Sequence, residues 1–165
     1  MTDRSELTES DIKKIKNLIE IEDIKKMRLH YSYFMDIRDL DKLMEVFAED
    51  ALCEYGPYGE WRGKEIILNN YKETFKETMD NPFASMHVNT NHLVEITGPT
   101  SAKGRVYLVD IVTDVKPDEN PFLWFALYDE EYEKIDNSWK IKRTSLEFFW
   151  PERHVQDNII PGEFI

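Results

Sequence analysis

Four side chains in this sequence are of the types and in the settings that proton transfer needs. Asp36 closes the run Tyr31-Ser32-Tyr33-Phe34-Met35-Asp36. Loss of water around a carboxylate among aromatic rings raises its proton affinity and makes it a better base near neutrality. The same group pointing into water at a helix end would be inert. Tyr31 shares a helical stripe with Ile24, Met27 and Phe34, as a core ring or as a phenol that donates to a substrate oxygen. On an ideal helix Tyr31 and Asp36 lie about 140° apart. Their convergence therefore requires the helix to end or distort between them, and Tyr33 is the closer helical neighbour of Asp36.

The third group is His87, in Ser85-Met-His87-Val-Asn89-Thr-Asn91-His92. In an undisturbed strand residues of equal parity share a face. His87, Asn89 and Asn91 then point one way and His92 the other, which argues against one metal bound by both histidines unless a bulge intervenes. A His-Asn-Asn row is either the solvent face of its strand or an inner face whose polar groups must all find partners. The fourth is Asp110, which shares a face with Val106, Leu108 and Val112. Buried there, it would need a partner, and an imidazole would serve; the alternative is a strand end in solvent. Phe122, Trp124, Phe125, Phe148, Phe149 and Trp150 supply core rings and the lining of a ligand cavity, with Trp124 and Phe148 the candidates for substrate contact.

Other site classes are missing from the sequence. No GxGxxG or Walker sequence occurs among six scattered glycines. The single Cys53 excludes an internal disulfide framework and a cysteine-rich zinc site, and it has no activating neighbour in sequence. No metal-ligand spacing is present, so neither metal nor cofactor is expected. With 21 Lys plus Arg against 33 Asp plus Glu, the net charge of -12 disfavours nucleic acid and anionic membrane surfaces as partners. No apolar run approaches the roughly 20 residues of a spanning helix, and the polar N-terminus lacks a secretory core. The 165 residues are expected to form one cytoplasmic domain over 1–165.

The elements that must position these groups change character halfway along. Ser10 or Thr8 would cap a helix carrying Ile12, Ile15, Leu18 and Ile19, and Glu22-Asp23 would open a second carrying Ile24, Met27, Tyr31 and Phe34. Asp39 would cap a third, short helix with Leu40, Leu43, Met44 and Phe47. A short strand at 51–55 stops at Gly56-Pro-Tyr-Gly59, and another helix follows Gly63 with Ile66, Ile67, Tyr71 and Phe75 inward. From Phe83 the period is two, with strands near 84–97, 101–115, 121–136 and 138–150. Helices followed by a long antiparallel meander predict an α+β domain with helices on one face of a curved sheet.

The order of these pieces resembles the nuclear transport factor 2-like superfamily, in its SnoaL-like branch, over about residues 10–150. The pieces are Tyr31-Ser-Tyr-Phe-Met-Asp36-Ile-Arg-Asp-Leu-Asp-Lys-Leu43, Trp61-Arg-Gly63-Lys-Glu-Ile66, His87-x-x-x-Asn91, Ala102-Lys-Gly-Arg-Val-Tyr107-Leu-Val-Asp110 and Tyr132-Glu-Lys-Ile-Asp-Asn-Ser-Trp139-Lys-Ile141. The resemblance implies a cone-shaped sheet wrapped around helices with an apolar pocket inside, and a homodimer or homotrimer. Within the branch the chain resembles the bile acid 7α-dehydratases and, more distantly, the scytalone dehydratases. Tyr31 and Asp36, His87 after Ser-Met, and Asp110 match that dehydratase pattern. The pattern's Arg on the last strand is replaced here by Phe148, with Arg143 and Arg153 out of register. That departure implies a neutral ligand rather than a carboxylate or thioester of coenzyme A.

The resemblance implies a cofactor-independent dehydratase acting on a small hydrophobic hydroxy-ketone or polycyclic substrate. Asp36 and His87 would be the acid–base pair, Tyr31 the donor to the developing enolate, and Asp110 the group that orients or charge-stabilises His87. Asn91, Tyr33, Trp124 and Phe148 would contact the substrate. The same fold also serves isomerases, cyclases and non-catalytic ligand-binding or assembly subunits, so fold alone does not select the reaction.

Overall fold

Thr8 starts the first helix by a reciprocal cap: its hydroxyl accepts the Asp11 amide, and the Asp11 carboxylate accepts the Thr8 amide at 3.1 Å. From there α1 (Glu9–Asp36) runs 28 residues without a break, where the sequence predicts two helices meeting near Glu22-Asp23. Ile19 and Ile24 are out of phase by roughly 140°, and that slip marks a change of surroundings. Neither Gly nor Pro interrupts residues 9–36, so the hydrogen-bond ladder continues. Ile12, Ile15, Leu18 and Ile19 stay exposed, while Ile24, Met27, Tyr31 and Met35 are buried. These observations come from a computed structural model that describes residues 7–156.

After α1 come α2 (Leu40–Glu45), capped by the Asp39 carboxylate as predicted, and β1 (Phe47–Glu54). A single 3-10 turn (Gly56–Tyr58) leads to β2 (Glu60–Arg62) and α3 (Lys64–Thr74). The long strands β3 (Ser85–Ile96), β4 (Ser101–Val112), β5 (Phe122–Ile135) and β6 (Ser138–Trp150) then form the expected meander. One sheet results, in the order β2-β1-β6-β5-β4-β3. All neighbours are antiparallel except β1 and β6, a parallel pair that the meander alone does not announce.

The sheet is bent by bulges. Register shifts fall between Thr90 and Leu93 of β3, opposite Asp110-Ile111 in β5, and twice in β6. Each inserts a residue on one strand and sharpens the local twist, so the sheet curves around the C-terminal half of α1. This wrapping buries a broad arc of the helix: Tyr31, Ser32, Met35 and Asp36 are all inside. Tyr31 and Asp36 thus reach one interior without helix distortion, and Asp36 is also the last helical residue.

Beyond β6, His154 pairs with Phe148 across an isolated antiparallel bridge. No helix of the described residues is long and apolar enough to cross a membrane.

Candidate active site

Where α1 ends, the curved sheet leaves a cavity of about 390 Å³. Its walls are aromatic, with Tyr31, Tyr55, Trp61, Tyr71, Trp124 and Phe148 among the lining side chains. His87, Asp110 and Arg38 also line it. Tyr58, in the turn between two positive-φ glycines, sits at the wall with its ring centroid 6.2 Å from Trp124 and 6.1 Å from Phe148. Gly56 and Gly59 take φ of 51° and 85°, which lets the chain reverse tightly enough to bring Tyr58 there.

Asp36 joins the helix end to the sheet. Its carboxylate accepts the backbone amide of His87 at 3.1 Å and 3.3 Å and the imidazole Nδ1 at 2.6 Å. Ionised Asp36 is an acceptor only, so in the neutral imidazole the proton sits on Nδ1 and Nε2 is bare. That Nε2 stands 3.8 Å from Asp110 Oδ2. Asp110 lies opposite His87 in the β3–β4 register, which is why parity brings the two inward together. Burial pushes the Asp110 pKa up, against the pull of His87 and Arg38. Its Oδ1 has no hydrogen-bond partner among the described residues.

Tyr31, Tyr55 and Tyr71 converge on one point of the wall. Their hydroxyls are separated by 2.7 Å (Tyr55–Tyr71), 2.8 Å (Tyr31–Tyr71) and 3.2 Å (Tyr31–Tyr55). Burial holds all three phenols well above their ordinary pKa, so they remain neutral donors at neutral pH. Three hydroxyls in a ring spend their protons on one another. The 3.2 Å edge is the weakest and the one a ligand oxygen would open.

Arg38, just past the helix, has a left-handed backbone (φ 64°). It donates from Nη1 to Met35 O at 2.6 Å and from Nη2 to Ser85 Oγ at 3.1 Å, with its guanidinium 4.1 Å from the Phe75 ring centroid. It thereby ties the end of α1 to the start of β3, two residues from His87.

Tyr31, His87 and Asp110 line this cavity with Trp124 and Phe148, while Asp36 lies outside the lining and holds His87 from behind. The structure separates two of the expected substrate contacts. Tyr33 is 52% exposed and lies outside the lining, because it is roughly 200° around α1 from Tyr31. Asn91 is exposed in the β3 bulge with φ 52° and does not line the cavity. The bulge reverses parity, so His92, Val94 and Ile96 turn inward after it. Sequence reasoning missed Arg38 as a cavity residue, and it read Tyr55 and Tyr71 only as strand and helix core. The usable signal was that a buried tyrosine needs a partner for its hydroxyl. Cys53 is fully buried with its thiol pushed up to about 12, which leaves it a packing residue at neutral pH. Among the described residues no group of three or more His, Cys, Asp or Glu is arranged to hold a metal ion.

This architecture has known relatives. A SnoaL-like domain profile matches residues 16–145, most of the chain. The chain belongs to the SnoaL-like domain family, with the nuclear transport factor 2-like cone fold. Among solved structures it is similar to a candidate scytalone dehydratase from Novosphingobium aromaticivorans, at 26% identity and TM-score 0.69, covering 85% of this chain and 91% of that one. It also matches an NTF2-like protein with a cystatin-like fold from the same genus (15% identity, TM-score 0.74, 88% and 92% covered). A hexachlorocyclohexane dehydrochlorinase from Novosphingobium barchaimii matches at 18% identity and TM-score 0.69, with 87% and 99% covered. The last two likenesses speak for fold alone.

Proposed function

We propose that the protein is a cofactor-independent dehydratase, a carbon–oxygen lyase acting on a hydrophobic hydroxy-ketone or polycyclic substrate. The observation that carries this reading is the imidazole of His87, held at Nδ1 by Asp36 at 2.6 Å with Nε2 turned toward Asp110 in an aromatic cavity. In the proposed reaction Nε2 takes a proton from the carbon next to a carbonyl, and the imidazolium charge is stabilised by Asp36. The electron pair forms the new double bond as the hydroxyl leaves. Asp110, whose pKa burial raises, delivers the proton that turns the leaving hydroxyl into water. The imidazolium then returns a proton to Asp110. Tyr31, at the end of the tyrosine cluster, donates to the carbonyl oxygen as it gains charge. The sequence expectation gave Asp110 the orienting role; the 2.6 Å and 3.8 Å distances favour giving it to Asp36.

A screen of hydroxy-ketones read by product mass tests the reaction: a dehydratase product has lost one water, whereas an isomerase or cyclase product has the substrate's mass. With a substrate in hand, Asp36→Asn should lower turnover by at least about a hundredfold while leaving ligand affinity and folding nearly intact. Wild-type turnover in that variant would end the assignment of Asp36.

We also propose that the protein works as a homodimer or homotrimer through the outer face of the sheet. Met86, Val88, Tyr107, Phe122, Phe125 and Trp150 are exposed there on adjacent strands. Light scattering at micromolar concentration should give a multiple of the chain mass; a monomer would contradict it.

A further inference from the structure

Arg38 is the one cation lining the cavity among the described residues. Its residue is only 6% exposed, and no described carboxylate lies within ion-pairing distance of it. Its hydrogen bonds go to a carbonyl and a hydroxyl, both uncharged, and its Nε–H has no acceptor among the described residues. The side chain is therefore held in place with no carboxylate in contact among the described residues. Asp36 and Asp110 act on it only at longer range, against the burial that pushes its pKa down. Ser85 and the Phe75 ring flank it, and Thr74, Thr78, Trp124 and Phe148 line the same cavity.

Neither of the other arginines near the last strand can serve the cavity. Arg143 lies on the outer face of the sheet, with Nε 2.5 Å from Glu54 and Nη1 3.5 Å from Asp129. Arg153 stacks 5.6 Å from the Phe149 ring centroid. Phe148 is in the wall, 2% exposed, with Trp124 at 4.9 Å. By that criterion alone the cavity would prefer a neutral ligand, and Arg38 reverses the expectation.

We infer that Arg38 is the cavity's subsite for an anionic oxygen, so that the substrate carries a carboxylate or an acidic ring hydroxyl in addition to the reacting group. This rests on the cavity being the ligand site and not on the roles given to Asp36 and His87. A guanidinium held away from water with no carboxylate at contact gains more from an anion than one already paired. The acidic group would lie beside Arg38 and Ser85, with the apolar rings against the aromatic lining of the cavity. The reacting carbon would lie beside His87, which lines the same cavity.

The test is calorimetric titration with 2-naphthoate and its neutral isostere 2-naphthamide near neutral pH. The proteins are the wild type, Arg38→Gln, Arg38→Lys, Asp36→Asn and the outer-face control Arg143→Gln. The wild type should bind the carboxylate at least about tenfold tighter than the amide. Arg38→Gln should abolish or invert that ratio, Arg38→Lys should keep part of it, and Arg143→Gln should keep it whole. Asp36→Asn should also keep it, so a failure of the proposed chemistry and a failure of this subsite are separately visible. A wild type that prefers the amide, binds both equally or binds neither overturns the inference, as does a preference that survives Arg38→Gln. If Arg38→Gln does not fold, the wild-type ratio and Arg38→Lys decide.

Discussion

Two buried ionic clusters sit inside the same cone, and they differ in what they leave open. Along α1 from the cavity, Arg28 is fully buried, with Nε 3.0 Å from Glu130 Oε2. Its guanidinium lies between the rings of Tyr31 and Tyr128, at 3.9 Å and 4.0 Å from their centroids. Glu130 also accepts from the Tyr132 hydroxyl at 2.6 Å and from Thr144 at 2.9 Å, and His92 Nε2 reaches the Tyr132 hydroxyl at 3.0 Å. Tyr31 and Tyr128 line the cavity, while Arg28 and Glu130 do not. In the other cluster Asp110 keeps one oxygen without a partner, and His87 lines about 390 Å³ of free space. Buried charge therefore does not by itself define a site. Both clusters keep unfilled hydrogen-bonding capacity, at the three guanidinium nitrogens of Arg28 and at Asp110 Oδ1, so what distinguishes the second is the space for a ligand beside it.

The largest effect should come from breaking the Arg28–Glu130 cluster. Arg28→Met leaves the Glu130 charge in the core without its cation, and should cost about 3–5 kcal/mol of unfolding free energy, read by denaturant titration. Asp36→Asn should move the same titration far less, because its damage falls on turnover. A variant at position 28 with near-wild-type stability would remove the distinction between the two clusters.

The clusters should also respond to acid with opposite sign. Burial, with Arg28 and Lys25 adding to it, lowers the His92 pKa from 6.5 to about 3. The folded protein thus binds that proton less readily than the unfolded chain. The stability this represents is present above 6.5 and is lost as pH falls from 6.5 toward about 3. Asp110 has its pKa raised, so its contribution is present below the usual 3.8 and is lost as pH rises through the folded value. Melting temperatures across this range should therefore fall less steeply with acid in His92→Gln than in the wild type. In Asp110→Asn the decline should be steeper, because the compensating gain has been removed. Parallel curves for all three proteins would contradict the directions assigned to both groups.

Much of this was legible in the sequence because it depends on period and on turn chemistry. The four long strands, the Asp39 cap and the Gly56–Gly59 turn follow from local patterns. Parity also groups Asp110 with Val106 and Leu108, although the choice between an inward and a solvent face for His87 and Asp110 stays open until the sheet is folded. What failed depends on the other elements. The two stripes of α1 look like two helices because phase records what each stripe faces, and the first stripe, Ile12, Ile15, Leu18 and Ile19, is exposed. Asn91 was misplaced because a bulge changes parity without a sequence mark as plain as Gly or Pro. Tyr33 was misplaced because its neighbours in sequence are aromatic on both sides of the helix. Arg38 and the Tyr31–Tyr55–Tyr71 cluster are brought together from α1, α3 and the end of β1, and nothing in any one of those segments announces the meeting.

The central claim is that Asp36 fixes His87 in the tautomer that offers a bare Nε2 to the cavity. The most direct measurement is long-range nitrogen–proton NMR correlation on the imidazole, in the wild type and in Asp36→Asn, at a pH where the ring is neutral. The wild type should show Nδ1 protonated and Nε2 pyridine-like, and Asp36→Asn should lose that preference. A His87 ring protonated at Nε2, or averaging freely between tautomers as a solvent-exposed imidazole does, would contradict the claim.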